Sequence, residues 1–324
     1  MLTAVGLIVG ALFLRRNVID DDDVVVGQGT EPPAADVSEL VCITELAGVC
    51  DAIGAAQSEL DVTVEDGLVT LDRLAALDDG VTPPLWLTVQ PFPTMLDELR
   101  TFEGGHPLGL GGDALAATPL GIAAPTGRFE VLSAACADAR TWRCLGDGAG
   151  RQWSELDGDE SWKTVRPAVG KADRSAVALA SFAAAVAGYL GTPTYTRSSW
   201  DADPDFTSWV RRLRRTVPYT SLSGTTPLAT MVQRSSAIDM AATTRAELEA
   251  LGTAAERFEA KYPEPAMWLE VVLAAPAEAE PGALTDAATT ALTDAGWSSP
   301  GDVTAAVPSA TTMLALRTLW QEAR

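Results

Sequence analysis

The stretch Thr164–Gly191, TVRPAVGKADRSAVALASFAAAVAGYLG, restricts the fold more than any other. It reads as a strand over Thr164–Arg166, a turn punctuated by Pro and Gly, and a helix opening at Ser175. Asp173 and Ser175 both suit the N-cap, because their side-chain oxygens accept from the unpaired N–H groups of a first turn. From Ala176 to Leu190 no face carries a charge. A helix apolar all round belongs inside a domain or a membrane. At about fifteen residues it falls short of the ~20 that a bilayer requires. A buried helix is expected, with its positive end at Arg174-Ser175 facing something. Ser175 as an ordinary cap beside a solvated Arg174 is the plain explanation. The functional one has the free N–H groups meeting an anion or a polar ligand.

Upstream, Glu39–Ile43 (ELVCI), Asp61–Glu65 and Leu85–Val89 (LWLTV) read as strands, separated by helices over Leu46–Ser58 and Val69–Leu77 and followed by one over Pro93–Arg100. This alternation, with apolar strands, argues a parallel sheet covered on both faces. In such sheets ligands sit off the carboxyl ends of the strands, here Thr44-Glu45 and Gln90-Pro91. Taken singly, each end is better explained as ordinary turn chemistry.

Leu115–Ala124 reads as a further apolar strand, with Arg128–Ala139 as the helix after it. Pro204–Arg215 (PDFTSWVRRLRR) is an amphipathic helix whose arginines suit a solvated or acid-paired face. Thr225–Arg234 reads as a helix and Ala237–Ala241 as a strand. Thr243-Thr244 open another helix, Glu247 completing a capping-box spacing from Thr244. Trp268–Ala274 (WLEVVLA) is a strand, and Gly282–Ala295 and Ser309–Arg324 are closing helices.

The order LAATPLGIAAPTG, TWRCLGDGAGRQWSELDG, a short strand ending R-P, and then a small-residue turn into an apolar helix ending in Gly resembles the second lobe of bacterial extracytoplasmic solute-binding proteins of the molybdate/sulfate type. MVQRSSAIDMAATTRAEL is similar to that family's later element, where the chain returns to the first lobe around an Asp. The resemblance covers roughly Val37–Ala275. It implies a two-lobed α/β fold of the periplasmic-binding-protein kind, each lobe a mainly parallel sheet flanked by helices. Crossovers are then expected near Thr118 and near Asp239–Thr243, with lobe one formed by residues 37–116 and 242–324 and lobe two by 117–241. The cleft would be lined by Thr44, Glu45, Gln90, Thr118, Arg174, Ser175 and Thr243 and take a small polar or anionic ligand, for an ABC importer or a sensor.

The family does no covalent chemistry, so neither an enzyme nor a cofactor is implied. Some related actinobacterial chains look like such a domain fused to a von Willebrand factor A domain; this sequence shows no D-x-S-x-S motif, which leaves such a protein as a partner only in trans. Three departures favour a second reading, an envelope scaffold that keeps the fold without a ligand. Gln90 stands where many relatives carry an acidic residue, and Glu45 and Arg174 are bulky for a small-oxyanion pocket.

Composition narrows the classes further. A formal charge of −21, from 44 acidic and 23 basic residues, disfavours nucleic acid as a partner, because phosphate binding needs a basic face. The Gly-rich loop Thr101–Gly112 has neither a dinucleotide fingerprint nor a Walker lysine, and its His106, the sole histidine, has no obvious carboxylate partner for nucleophilic catalysis. No G-x-S-x-G or H-E-x-x-H occurs. No metal site is expected. Asp20–Asp23 lacks the glycine-punctuated spacing of a calcium loop and reads as spacer charge in an acidic linker over residues 17–36.

The four cysteines fall in two close pairs, Cys42/Cys50 and Cys136/Cys144, a pattern of local disulfides in an oxidising compartment. Unpaired buried thiols are the alternative. Residues 1–16 hold an apolar run, Leu2–Leu14, followed by Arg15-Arg16, whereas a secretory signal has its charges in front. Taken with the cysteines, this is expected to be the remainder of a longer membrane anchor whose basic front is clipped, holding the globular part outside the cytoplasm.

Overall fold

The computed structural model describes residues 38–136, 141–218, 225–264, 266–279, 281–302 and 307–323. The expected anchor and acidic linker lie outside these residues. Among the described residues no helix is long and apolar enough to cross a membrane.

β1 (Glu39–Ile43), β2 (Asp61–Glu65) and β3 (Leu85–Val89) form as expected, with β1 parallel to both others. Their links are α1 (Ala47–Ala56) and α2 (Gly67–Ala75), and α3 (Phe92–Phe102) follows. β3 is buried at every position, consistent with a central strand covered on both faces.

β4 (Ala114–Pro125) is the element on which the two lobes hang. Its twelve residues span about 40 Å at the usual strand rise. Residues Ala114–Pro119 pair antiparallel with β8 (Trp268–Ala274), which also pairs antiparallel with β3. Residues Leu120–Pro125 pair instead with β6 (Met240–Thr244) and β7 (Phe258–Lys261). The strand therefore belongs to two sheets. β6 also carries the short parallel β5 (Pro167–Ala168), giving the order β2-β1-β3-β8-β4-β6-β5 with β7 on the other side of β4. Parallel pairing is confined to β1–β2, β1–β3 and β5–β6, so the sheets are mixed where the chain changes lobes.

Two expected strands shift, and one strand was not expected. The strand expected at Thr164–Arg166 is displaced to Pro167–Ala168, because Thr164 bridges back to Gln152 instead. The strand expected at Ala237–Ala241 begins only at Met240, since a turn closed by Ala237 N–H donating to Arg234 O occupies its front. β7 has no counterpart in the sequence reading; FEAK lacks a continuous apolar run.

The helices after β4 are α4 (Arg128–Ala135), α5 (Thr141–Gly148), α6 (Ala176–Leu190), α7 (Arg197–Asp201), α8 (Pro204–Arg215), α9 (Pro227–Gln233) and α10 (Arg245–Glu249). α6 is buried at all but Val177 and Leu190, which accounts for a helix without charge. It is closed by Gly191 in the left-handed region at φ 75°. α8 buries Phe206, Trp209, Val210 and Leu213, while Arg212 turns outward to Asp147 at 2.9 Å and Gly146 O at 3.1 Å.

The chain closes with α11 (Gly282–Asp294) and α12 (Ala310–Glu322). Trp320 of α12 meets Phe182 of α6 edge-on at 4.9 Å, and Arg317 clamps Asp72 of α2 at 2.8 and 2.6 Å. The Gly-rich loop is pinned from beneath by buried Arg100, which donates to His106 O and to the carbonyls of Leu74, Ala75 and Leu77 at the end of α2. Both cysteine pairs are disulfides, Cys42–Cys50 between β1 and α1 and Cys136–Cys144 between the end of α4 and α5.

Candidate functional site

Ser175 caps α6 as its sequence predicts, its Oγ accepting from Ala178 N–H at 2.9 Å. The same hydroxyl donates to Oε1 of Glu45, which follows β1. So the anion at the positive end of α6 is the chain's own carboxylate, a placement that a helix terminus favours. Beside it, Thr44 Oγ1 donates to Asp66 Oδ1 at 3.1 Å and Arg174 Nε to Asp66 Oδ2 at 3.0 Å. The Leu68 N–H donates to Arg174 O at 2.8 Å, which ties the first turn of α2 to the entry of α6. Gly67 permits this approach: a Cβ there would stand 2.7 Å from Ala176 Cβ.

Glu45 keeps part of its stem at the surface, but Oε2 is sealed from solvent and has no hydrogen-bond partner. Burial pushes its pKa up, against the pull of the Ser175 hydroxyl and of the N–H groups of Glu45 and Val177; the Asp66 charge raises it further. Glu247 of α10, also in the lining, accepts from the Thr226 hydroxyl and, at 2.8 Å, from that of Thr243. Burial raises the Glu247 pKa as well, the two hydroxyls oppose it, and the Glu45 charge adds to the rise. The capping-box spacing brings Glu247 here, with Thr244 Oγ1 accepting the Glu247 N–H at 3.0 Å.

These groups enclose a cavity of about 60 Å³. Thr44, Glu45 and Asp66 line it from just beyond β1 and β2, and Lys171, Arg174 and Ser175 from the turn into α6. Apolar walls come from Val169, Val177, Ala178, Pro227 and Ile238. Among the described residues no cluster of His, Cys, Asp and Glu suited to a metal ion occurs.

Of the residues singled out in the sequence, Thr44, Glu45, Arg174 and Ser175 line the cavity, and Thr243 supports Glu247 behind it. Gln90 and Thr118 lie outside the lining. Gln90 N–H donates to Glu270 O at 2.8 Å, within the first sheet. Thr118 is buried, and its Oγ1 accepts from Ala246 N–H at 3.2 Å, so it holds the start of α10 rather than facing the cavity. The sequence reading missed Asp66, Lys171, Thr226 and Glu247 as lining groups. Asp66 was within reach of the strand-end rule, since it follows β2 as Thr44 follows β1. Thr226, before Pro227, reads locally only as a helix cap, and it is one, accepting from Ala229 N–H at 3.1 Å.

No known protein family matches the chain by sequence, and no curated protein does. Among solved structures, the chain is similar to a periplasmic thiamin binding protein, with a TM-score of 0.54 at 11% identity over 93% of this chain and 99% of the other. It is also similar to the substrate binding protein of an ABC transporter from Agrobacterium tumefaciens, with a TM-score of 0.51 at 12% identity over 90% and 95% of the two chains. The architecture is thus the two-lobed periplasmic-binding-protein fold. At such identities the likeness concerns the fold alone.

Proposed function

We infer that the chain is a non-catalytic, extracytoplasmic solute-binding protein that captures a small polar molecule between its lobes for an ABC importer or a sensor. One observation carries this reading: the cavity joins first-lobe strand ends to the N-terminus of α6 and to α9 and α10, where this fold has room for a ligand. Thr44, Glu45, Arg174 and Ser175 are its contact residues in this proposal, with Asp66 and Glu247 added and Gln90 and Thr118 set aside. An anion, as in the molybdate/sulfate type, would have to displace Glu45 from the α6 terminus. The lobe bounds belong to the same proposal: residues 37–116 with 242–324 for lobe one and 117–241 for lobe two, with β7 lending its strand to the second sheet. So do the anchor in residues 1–16, the location outside the cytoplasm, and a permease or a von Willebrand factor A-type envelope protein as partner.

The second reading, an envelope scaffold without a ligand, is favoured by Glu45 itself, which already fills the seat at α6. A thermal-shift panel of anions, sugars, amino acids and amines separates the two. Binding to the folded state alone stabilises by about 2.7 kcal/mol at a hundredfold excess over Kd. A reproducible rise in Tm with one class of probe is expected; a flat panel replaces the binding reading by the scaffold.

A further inference from the structure

Two carboxylates, Glu45 and Glu247, share this cavity, and among the described residues neither forms an ion pair. Glu45 accepts from Ser175 and leaves Oε2 without a partner, and Glu247 accepts from the hydroxyls of Thr226 and Thr243. An ionised carboxylate offers about four acceptor positions, so both groups keep capacity for further donors. A buried acceptor left unmade is costly. Of the basic groups in the lining, Arg174 is engaged with Asp66. Glu45, Asp66 and Glu247 against Lys171 and Arg174 leave the lining with a formal excess of one negative charge.

We propose that the cavity seats a protonated amine, its ammonium between Glu45 and Glu247 and its carbon portion against Val169, Val177 and Ile238. The inference rests on the solute-binding reading and names the ligand class for it. An ammonium has three donors and no acceptor, which suits the free oxygen of Glu45 and an oxygen of Glu247. The Ser175 and Thr226 hydroxyls already donate to these carboxylates, so they fix the carboxylate orientation rather than compete for the cation. The small volume favours a short chain over a bulky ring.

Calorimetry and thermal shift at neutral pH would use methylamine, ethanolamine and 1,4-diaminobutane, with acetate, sulfate and glucose as anionic and neutral probes. At least one amine is expected to bind, with affinity tenfold or more weaker in both Glu45→Gln and Glu247→Gln and unchanged in Glu155→Gln, an exposed carboxylate away from the cavity. The two cavity variants serve as checks on each other, should one fold poorly. Binding of acetate, sulfate or glucose with no response to any amine would overturn the amine while leaving the solute reading intact. Amine affinity indifferent to both cavity substitutions would place the amine elsewhere and overturn the site. No response to any probe would remove the solute reading, and this inference with it.

Discussion

A carboxylate at the open end of a helix accepts from groups that would otherwise point into the interior unpaired, and Glu45 takes that position at α6. The arrangement has a pH consequence. Burial holds the folded-state pKa of Glu45 and Glu247 above their unfolded values, so the native state keeps protons that the unfolded chain has released. Their contribution therefore grows as pH falls from neutrality and is complete below the ordinary glutamate range. Facing Glu45 are Asp66 and the Ser175 hydroxyl, with Arg174 bound to Asp66; facing Glu247 are Thr226, Thr243 and Glu45. Asp239, buried and held by Trp153 Nε1–H at 2.6 Å and Arg166 N–H at 2.7 Å, is also pushed up by burial and acts with the same sign. Asp203 runs the other way: the Tyr189 hydroxyl, donating at 2.8 Å, depresses its pKa, so its contribution is lost on acidification below the usual aspartate range. The wild-type Tm is expected to rise on moderate acidification and then fall. In Glu45→Gln the Tm should be higher at neutral pH and the rise shallower; a Tm-against-pH series of the two proteins checks this.

At the scale of elements, the first turn of α2 against the entry of α6 decides how closely the cavity is sealed. Gly67→Val would put side-chain carbons where Ala176 Cβ already stands within 2.7 Å and Ile43 Cγ2 within 3.1 Å. Overpacking of this kind costs about 1–3 kcal/mol. The helices should separate rather than repack, because α6 is buried along its length and held by Trp320 against Phe182. The expected outcome is a loss of stability within that range on denaturation, with faster hydrogen exchange at the Leu68 amide, whose acceptor is Arg174 O. Elements were the most legible level of the sequence. Ser175 as cap, Gly191 as stop and the uncharged run between them are local signals, and so are the apolar runs that became β1, β3 and β8. β5 and β7 were not legible, because the one has two residues and the other, FEAK, lacks a continuous apolar run.

Across the whole molecule, two local disulfides sit on either side of the long shared strand, each closing a separation of eight residues. Loops of that length contribute roughly 2.5 kcal/mol each in the chain-entropy account. Cys42→Ser/Cys50→Ser and Cys136→Ser/Cys144→Ser should each lower the unfolding free energy by about that amount. The two losses should add, since the pairs constrain separate segments. Chemical denaturation of the two double variants and their combination tests this; a strong departure from additivity would mean that the disulfides constrain a shared unfolding unit.

The sequence by itself determined a buried helix with a polar cap, an alternation of strands and helices, paired cysteines, and strand ends placed to line a cleft. Each follows from chemistry acting over a few residues: capping, periodicity and the turn residues between elements. Tertiary structure alone decided what meets that cap. Glu45 and Ser175 are 130 residues apart in the chain, and Thr226 and Thr243 reach Glu247 only once α9, β6 and α10 have packed. Thr118 holds the right position in the strand pattern, yet the fold uses its hydroxyl internally, because a buried polar group is drawn to a backbone partner, here the Ala246 N–H. The sign of charge in the cavity is a sum over groups from both lobes, and no single stretch of the chain contains that sum.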